Sequence, residues 1–180
     1  MNNTPKIYFI SGTSGVGKTS VMKELKSLLS TDMYNIRDFD ERGVPDNAGP
    51  EWHRNETVYW LETANQNAKL GKSTIVCGVV EPESFAKIHE TNSYIPVQLA
   101  YLHASEDILR QRLLGRYTSP ESREDILRAS GRPYDKYVSD MVADSSGLLT
   151  AFKKAGLPIV DTDDKTPAEV ASEIIQLLKW

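Results

Sequence analysis

The sequence predicts an α/β domain built on a mainly parallel sheet. Short apolar runs alternate with segments of helical periodicity along the whole chain, and no linker or low-complexity stretch divides its 180 residues. That length suits one domain with a substantial core.

The elements follow in order. Ile7-Tyr8-Phe9-Ile10 reads as a buried strand that runs into glycines, and Val21, Leu25, Leu28 and Leu29 then recur at helical spacing. Tyr34 to Asp40 is a second strand candidate, with Ile36 and Phe39 its strongly apolar members. Gly43, Pro45, Gly49 and Pro50 make residues 43–55 a loop. A helix is expected from about Glu56, with Trp60, Leu61, Ala64 and Ala68 on one side and Gly71 at its stop. Ile75 to Val80 and Val97 to Leu102 are further strands, and Ser105 is placed to cap a helix whose first turn holds Glu106 and Asp107. Residues 117–133 interrupt the helical pattern and read as an excursion between two helices. Val138, Met141, Val142, Leu149 and Phe152 resume a helical stripe, which Gly156 and Pro158 end. Leu157 to Val160 is a last strand, and Thr166-Pro167-Ala168-Glu169 combines a capping box with proline at the first helical position.

Composition narrows the function classes. A net charge of −4 argues against a protein that coats nucleic acid, and no apolar run reaches the length of a membrane span. The single cysteine, Cys77, excludes a disulfide framework or a thiolate metal cluster. Met1 to Lys6 shows no signal-peptide anatomy, so the expectation is a cytoplasmic protein without a membrane partner. Six of the nine arginines fall between Arg110 and Arg132, interleaved with carboxylates. Composition alone allows a salt-bridged surface there.

The most informative segment is Gly12-Thr13-Ser14-Gly15-Val16-Gly17-Lys18-Thr19, a complete G-x-x-x-x-G-K-T between a strand and a helix. Glycines let consecutive backbone N–H groups point inward, and the helix N-terminus adds partial positive charge, so the segment can cradle phosphates. Lys18 can bridge the outer phosphates and the Thr19 hydroxyl can ligate magnesium. The nucleotide contacts are expected from Gly12 through Ser20. A base-reading Asn-Lys-x-Asp is lacking, and Asp46-Asn47-Ala48-Gly49 follows a proline rather than a strand, which argues against a GTPase.

The phosphate loop, then Asp38-Phe39-Asp40, then Leu99 to Ser105 leading into Arg112-Leu113-Leu114-Gly115-Arg116, resembles the P-loop kinases of the shikimate, gluconate and nucleoside monophosphate kinase group. The resemblance implies a three-layer P-loop NTPase fold with a five-stranded parallel sheet flanked by helices. It also implies a short arginine-rich lid at about 117–133, an acceptor-binding segment at about 38–70, and ATP with Mg2+ as cofactors. It gives Asp38 a magnesium role through water and makes Asp40 the residue that holds and deprotonates the acceptor hydroxyl. Asp38 and Asp40, two apart at a strand end, would project to the same side; a solvated strand end is the alternative. Arg112 and Arg116 lie four apart on a helix, where like charges suit an intervening anion. Catalytic roles are therefore expected for Lys18, Asp40, Arg116 and Arg112. Arg42, Trp52 and Arg54 are candidate acceptor contacts, although Trp52 could equally pack the core. Asp161-Thr162-Asp163 lies where relatives contact the adenine, with Asp161 the expected contact. The third strand lacks a terminal aspartate, which leaves Asp38 or Glu81 to organise the metal and matches shikimate kinases, which rely on glycine where Gly78 stands here. The function expected is phosphorylation of a small metabolite or nucleotide. A non-catalytic ATP-binding regulator and a kinase of polynucleotide ends are the alternatives.

Overall fold

The computed structural model describes residues 4–46 and 48–178. The first three residues, part of the stretch read for a signal peptide, and Asn47 of the Asp46–Gly49 motif lie outside them. Five parallel strands form one sheet in the order β2-β3-β1-β4-β5. They are β1 (Ile7–Ser11), β2 (Tyr34–Asp38), β3 (Ser73–Gly78), β4 (Val97–His103) and β5 (Ile159–Asp161). The helices are α1 (Lys18–Leu28), α2 (Pro50–Lys69), α3 (Pro82–Asn92), α4 (Glu106–Arg116), α5 (Pro120–Ser130), α6 (Tyr134–Lys154) and α7 (Pro167–Leu178). The five-stranded parallel sheet flanked by helices is the arrangement the resemblance implied.

Central β1 is buried along its length and pairs with β3 (Ile7 opposite Thr74) and with β4 (Ile7 opposite Val97). Its side chains alternate between faces. Tyr8 and Ile10 pack with Val21 and Leu25 of α1, Leu109 of α4, Val138 of α6 and Ile174 of α7. Ile7 and Phe9 pack with Trp60 and Leu61 of α2, Phe85 and Ile88 of α3, and Phe152 of α6. The long α6 thus contributes to both cores, one with each half. Three layers result, and all five strands point their C-terminal ends the same way, where ligand crevices form in open parallel sheets.

Five sequence expectations change. The second strand ends at Asp38, and Phe39 and Asp40 lie in a turn closed by Glu41 N–H to the Asp38 carbonyl at 3.2 Å. The loop expected over 43–55 is helical from Pro50, with Gly49 as N-cap and proline at the first position. Helix α3 was not anticipated between the third and fourth strands; Glu81 caps it, accepting from Glu83 N–H at 3.1 Å and Ser84 N–H at 2.7 Å. Ser105 does occupy the α4 cap position, but its hydroxyl makes no capping bond. Its N–H instead reaches both Asp163 carboxylate oxygens at 3.2 Å. The excursion at 117–133 contains a helix of its own, α5, capped by Ser119 and stopped by Gly131 in a left-handed conformation. The capping box of α7 is formed, with Glu169 accepting from Thr166 N–H at 2.8 Å and Glu169 N–H donating to the Thr166 hydroxyl at 3.3 Å.

Candidate active site

The phosphate loop is held by its neighbours before any ligand arrives. Ser11 donates to the Val80 carbonyl at 2.8 Å and accepts from Val80 N–H at 3.0 Å, which ties the end of β1 to the segment after β3. A Cβ on Gly12 would meet Val16 Cγ1 at 2.7 Å, and Gly17 stands at φ 106°, so both positions need glycine. Gly17 is the N-cap of α1 and offers no side-chain acceptor, which leaves the first N–H groups of the helix available to an anion. Lys18 folds back over the loop and donates to the carbonyls of Gly12 at 2.7 Å and Thr13 at 2.9 Å. Desolvation pushes its ammonium down to about 8, against the opposing pull of Asp40, Cys77 and Asp38.

The loop opens on a cleft of about 1080 Å³. It is lined by Ser14 to Ser20 with Arg112 and Arg116, and by Asp38, Asp40 and Glu41. Burial and the nearby Asp38 raise the Asp40 carboxyl, while Lys18 and His53 lower it. The two aspartates do face one space, but through the turn: Asp40 N–H donates to Asp38 Oδ1 at 3.0 Å. Arg116 lines the cleft with its guanidinium 5.1 Å from the Tyr117 ring centroid.

Arg112 is a clamp. Its Nη1 donates to the Thr162 hydroxyl at 2.9 Å and the Val16 carbonyl at 3.3 Å, and its Nη2 to the Thr162 carbonyl at 2.9 Å. These bonds fix the Arg112 guanidinium against the loop and the segment after β5, while Arg116, one turn on, lines the cleft. Gly12 and Thr13 sit beneath the loop, buried; the Thr13 hydroxyl is without a hydrogen-bond partner.

Other expected residues lie elsewhere. Asp161 accepts from Asp163 N–H at 2.9 Å and does not line the cleft; Thr162, Lys165, Pro167 and Val170 do. Arg42 pairs with Glu56 at 3.2 Å and stacks over the Tyr59 ring at 3.8 Å. Trp52 packs edge-on against Phe39, with centroids 6.0 Å apart. Arg54 lines a separate cleft of about 410 Å³ between α2 and α3. Glu81 is held as the cap of α3 and lines that second cleft. Sequence reasoning missed Tyr117, Tyr137 and Lys165 as cleft residues; Thr162 lies in the Asp161–Asp163 segment expected at the base pocket, and the helical stripe of α6 includes the cleft residue Met141.

Thr19 and Asp38 share the cleft, and among the described residues no cluster of three or more His, Cys, Asp or Glu could hold a metal. One hydroxyl and one carboxylate are hard oxygen donors. They fit a magnesium ion that takes its other ligands from phosphates and water.

A family model described as AAA domain matches residues 9–132, from β1 past the end of α5. The chain belongs to the AAA domain family. Proteins named "Putative adenylate kinase" from Pyrococcus furiosus and Thermococcus gammatolerans are similar to this one. The first is 28% identical over 178 residues, covering 96% of this chain and 83% of its own. The second is 29% identical over 177 residues, covering 96% and 85%. Among solved structures, a shikimate kinase from Acinetobacter baumannii in complex with shikimate superposes with a TM-score of 0.58 at 17% identity, covering 99% of this chain and 94% of that one. A gluconokinase from Sinorhizobium meliloti 1021 gives 0.57 at 18%, covering 98% and 92%. This AAA domain protein shares their fold, and with its family and relatives it stands among the small-molecule P-loop kinases.

Proposed function

We propose that the chain is an ATP- and magnesium-dependent phosphotransferase, working in the cytoplasm, that phosphorylates a small metabolite or nucleotide. One observation carries the reading: the phosphate loop, the Asp38–Asp40 pair and Arg116 line a single cleft. The names of the archaeal relatives supply the nucleotide alternative for the acceptor.

The residues divide the work. The loop N–H groups and the start of α1 bind the triphosphate, and Lys18 leaves the Gly12 and Thr13 carbonyls for the outer phosphates. Thr19 and Asp38 hold magnesium, which when bound neutralises charge on the transferring group. Asp40 orients the acceptor hydroxyl and takes its proton, a task suited by a carboxyl raised above its ordinary value. Arg116 faces the charge that develops during transfer. Arg112 keeps α4, the loop and the segment after β5 together, and so positions Arg116 one turn away. Residues 117–133, including α5, form the lid that excludes water, and Tyr117 at its start lines the cleft with Tyr137.

Two substitutions test this. Lys18→Ala should abolish ADP production. Asp40→Asn should lower kcat by orders of magnitude while titration with MgATP still shows binding. Wild-type activity in either variant refutes the assignment of that residue.

A further inference from the structure

Resting on the phosphotransferase reading, we infer that His53 is a positioning residue: its one imidazole holds the Asp38–Asp40 turn in register with the phosphate loop. The sheet order shows where such a part must act. The turn follows β2 and the phosphate loop follows β1, and β3 lies between those two strands. The stretch at the exit of β3, Gly78-Val79-Val80, touches both. On the loop side, Gly12 N–H donates to the Gly78 carbonyl at 3.2 Å, and Ser11 Oγ bonds the Val80 N–H and carbonyl. On the turn side, Phe39 N–H donates to the Cys77 carbonyl at 2.9 Å, and Phe39 stands directly over Gly78. Val79, between these anchors, lines the cleft with Asp38 and Asp40.

His53 joins the two sides. Its Nε2 lies 2.5 Å from the Val79 carbonyl. A carbonyl only accepts, so Nε2 carries a proton and donates. The same ring stacks on Phe39, with centroids 4.8 Å apart and planes 30° from parallel. Its base is rigid: in the first turn of α2, His53 N–H donates to the Gly49 carbonyl at 3.1 Å, and the His53 carbonyl accepts from the Thr57 hydroxyl at 2.8 Å. Phe39 stands between Asp38 and Asp40 in the chain. A ring fixed on Phe39 and Val79 together therefore fixes where both aspartates stand relative to Ser11 and Gly12. Phe39 keeps its anchors on Cys77 and Trp60 without His53, so losing the imidazole should shift the turn and leave the domain folded.

The test compares the wild type with His53→Ala, which removes ring and donor, and His53→Gln, whose side-chain amide still donates. Amide exchange is read first, on the ligand-free proteins. The Ala variant should exchange faster at Phe39, Glu41 and Val80, whose N–H groups bond to Cys77, Asp38 and Ser11, with α2 beyond its first turn still protected. The Gln variant should regain most of that protection. In 15N-histidine spectra of the wild type, the signal absent from both variants should carry a proton on Nε2. ADP release from MgATP, with water as the acceptor, should fall roughly 10- to 100-fold in the Ala variant, as an ångström-scale misplacement does. The KM for MgATP should not change, and the Gln variant should recover most of the rate.

A neutral ring protonated on Nδ1 alone overturns the inference, as does wild-type exchange at those amides in the Ala variant. A Gln variant as loose as the Ala variant, or global unfolding of the Ala variant, overturns it too. So does a KM for MgATP that rises in step with the loss of rate, because the damage then lies in the phosphate loop. Exchange and spectra decide even where hydrolysis by water is too slow to follow. Calorimetric MgATP binding separates the two levels. A wild type that does not bind MgATP sinks the phosphotransferase reading; one that binds it, with a turn indifferent to His53, sinks this inference alone.

Discussion

A methyl group at position 78 has nowhere to go. An added Cβ would stand 2.2 Å from Phe39 Cβ, a backbone-anchored atom that cannot swing aside. Phe39 is fixed at both polar ends, its N–H on the Cys77 carbonyl at 2.9 Å and its carbonyl on Trp60 Nε1 at 3.1 Å. The contact therefore sets where the next residue, Asp40, begins. Gly78→Ala should cost about 1–3 kcal/mol in a denaturant titration, the range for overpacking a close-packed core. It should also lower kcat more than it raises the KM for ATP, because the Asp40 turn moves and the phosphate loop does not. Equal effects on both constants would place the damage in the loop. Glu56 offers a second residue-level test. Burial, with Asp40 and Glu41 nearby, holds its carboxyl above the ordinary value of 4.5, even against Arg42. The folded protein then keeps this proton at pH values where the unfolded chain has lost it. Stability from this group is full below about pH 4.5 and falls as pH rises through the folded-state value. Glu56→Gln, which cannot titrate, should flatten that decline in melting curves taken across the mildly acidic range.

At the scale of elements, legibility followed how local the determinants were. The phosphate loop could be read because its glycines, Lys18 and Thr19 act through their own backbone and one helix end. The α7 start could be read because Thr166 and Glu169 satisfy each other within a single turn. Helix α3 went unseen because its signal, Glu81 before Pro82 with Phe85 and Ile88 on one face, is brief and follows directly on an apolar strand. The start of α2 was misplaced because Gly49 and Pro50 mark both loops and helix N-termini, and only packing decides between them. The spacing of Arg112 to Arg116 suggests an anion partner. Its hydrogen-bond partners here, Val16 and Thr162, are distant in sequence, and no spacing rule could name them. Arg112→Ala should thus behave as loss of a clamp between elements. The expected outcome is lower thermal stability without nucleotide and a raised KM for ATP, with Arg112→Lys recovering only part of both because lysine lacks the planar fork. A loss confined to kcat would instead favour a direct catalytic part.

The whole molecule gathers its cleft from distant stretches of chain: the loop after β1, the turn after β2, helix α4, the start of α6 and the segment around Lys165. One hydrophobic core reaches it through Val16, Val21 and Val170, and Phe39 of the other lies in the turn between Asp38 and Asp40. Ordering these parts around one ligand should therefore stabilise the fold as a unit. At 100 times its dissociation constant, MgATP adds about 2.7 kcal/mol by mass action. At this chain length that corresponds to a rise of about 5–10 °C in Tm. Hydrogen exchange should slow together in the phosphate loop, α4 and the N-terminal half of α6, since Arg112 and Tyr137 link those elements to the loop. Lys18→Ala should remove the thermal shift while leaving the ligand-free Tm within a few degrees, because in the free protein the half-buried ammonium carries a desolvation cost and only two carbonyl bonds. Protection restricted to the loop, with α4 and α6 exchanging as before, would show that the cleft walls move independently and that closure is not shared across the sheet.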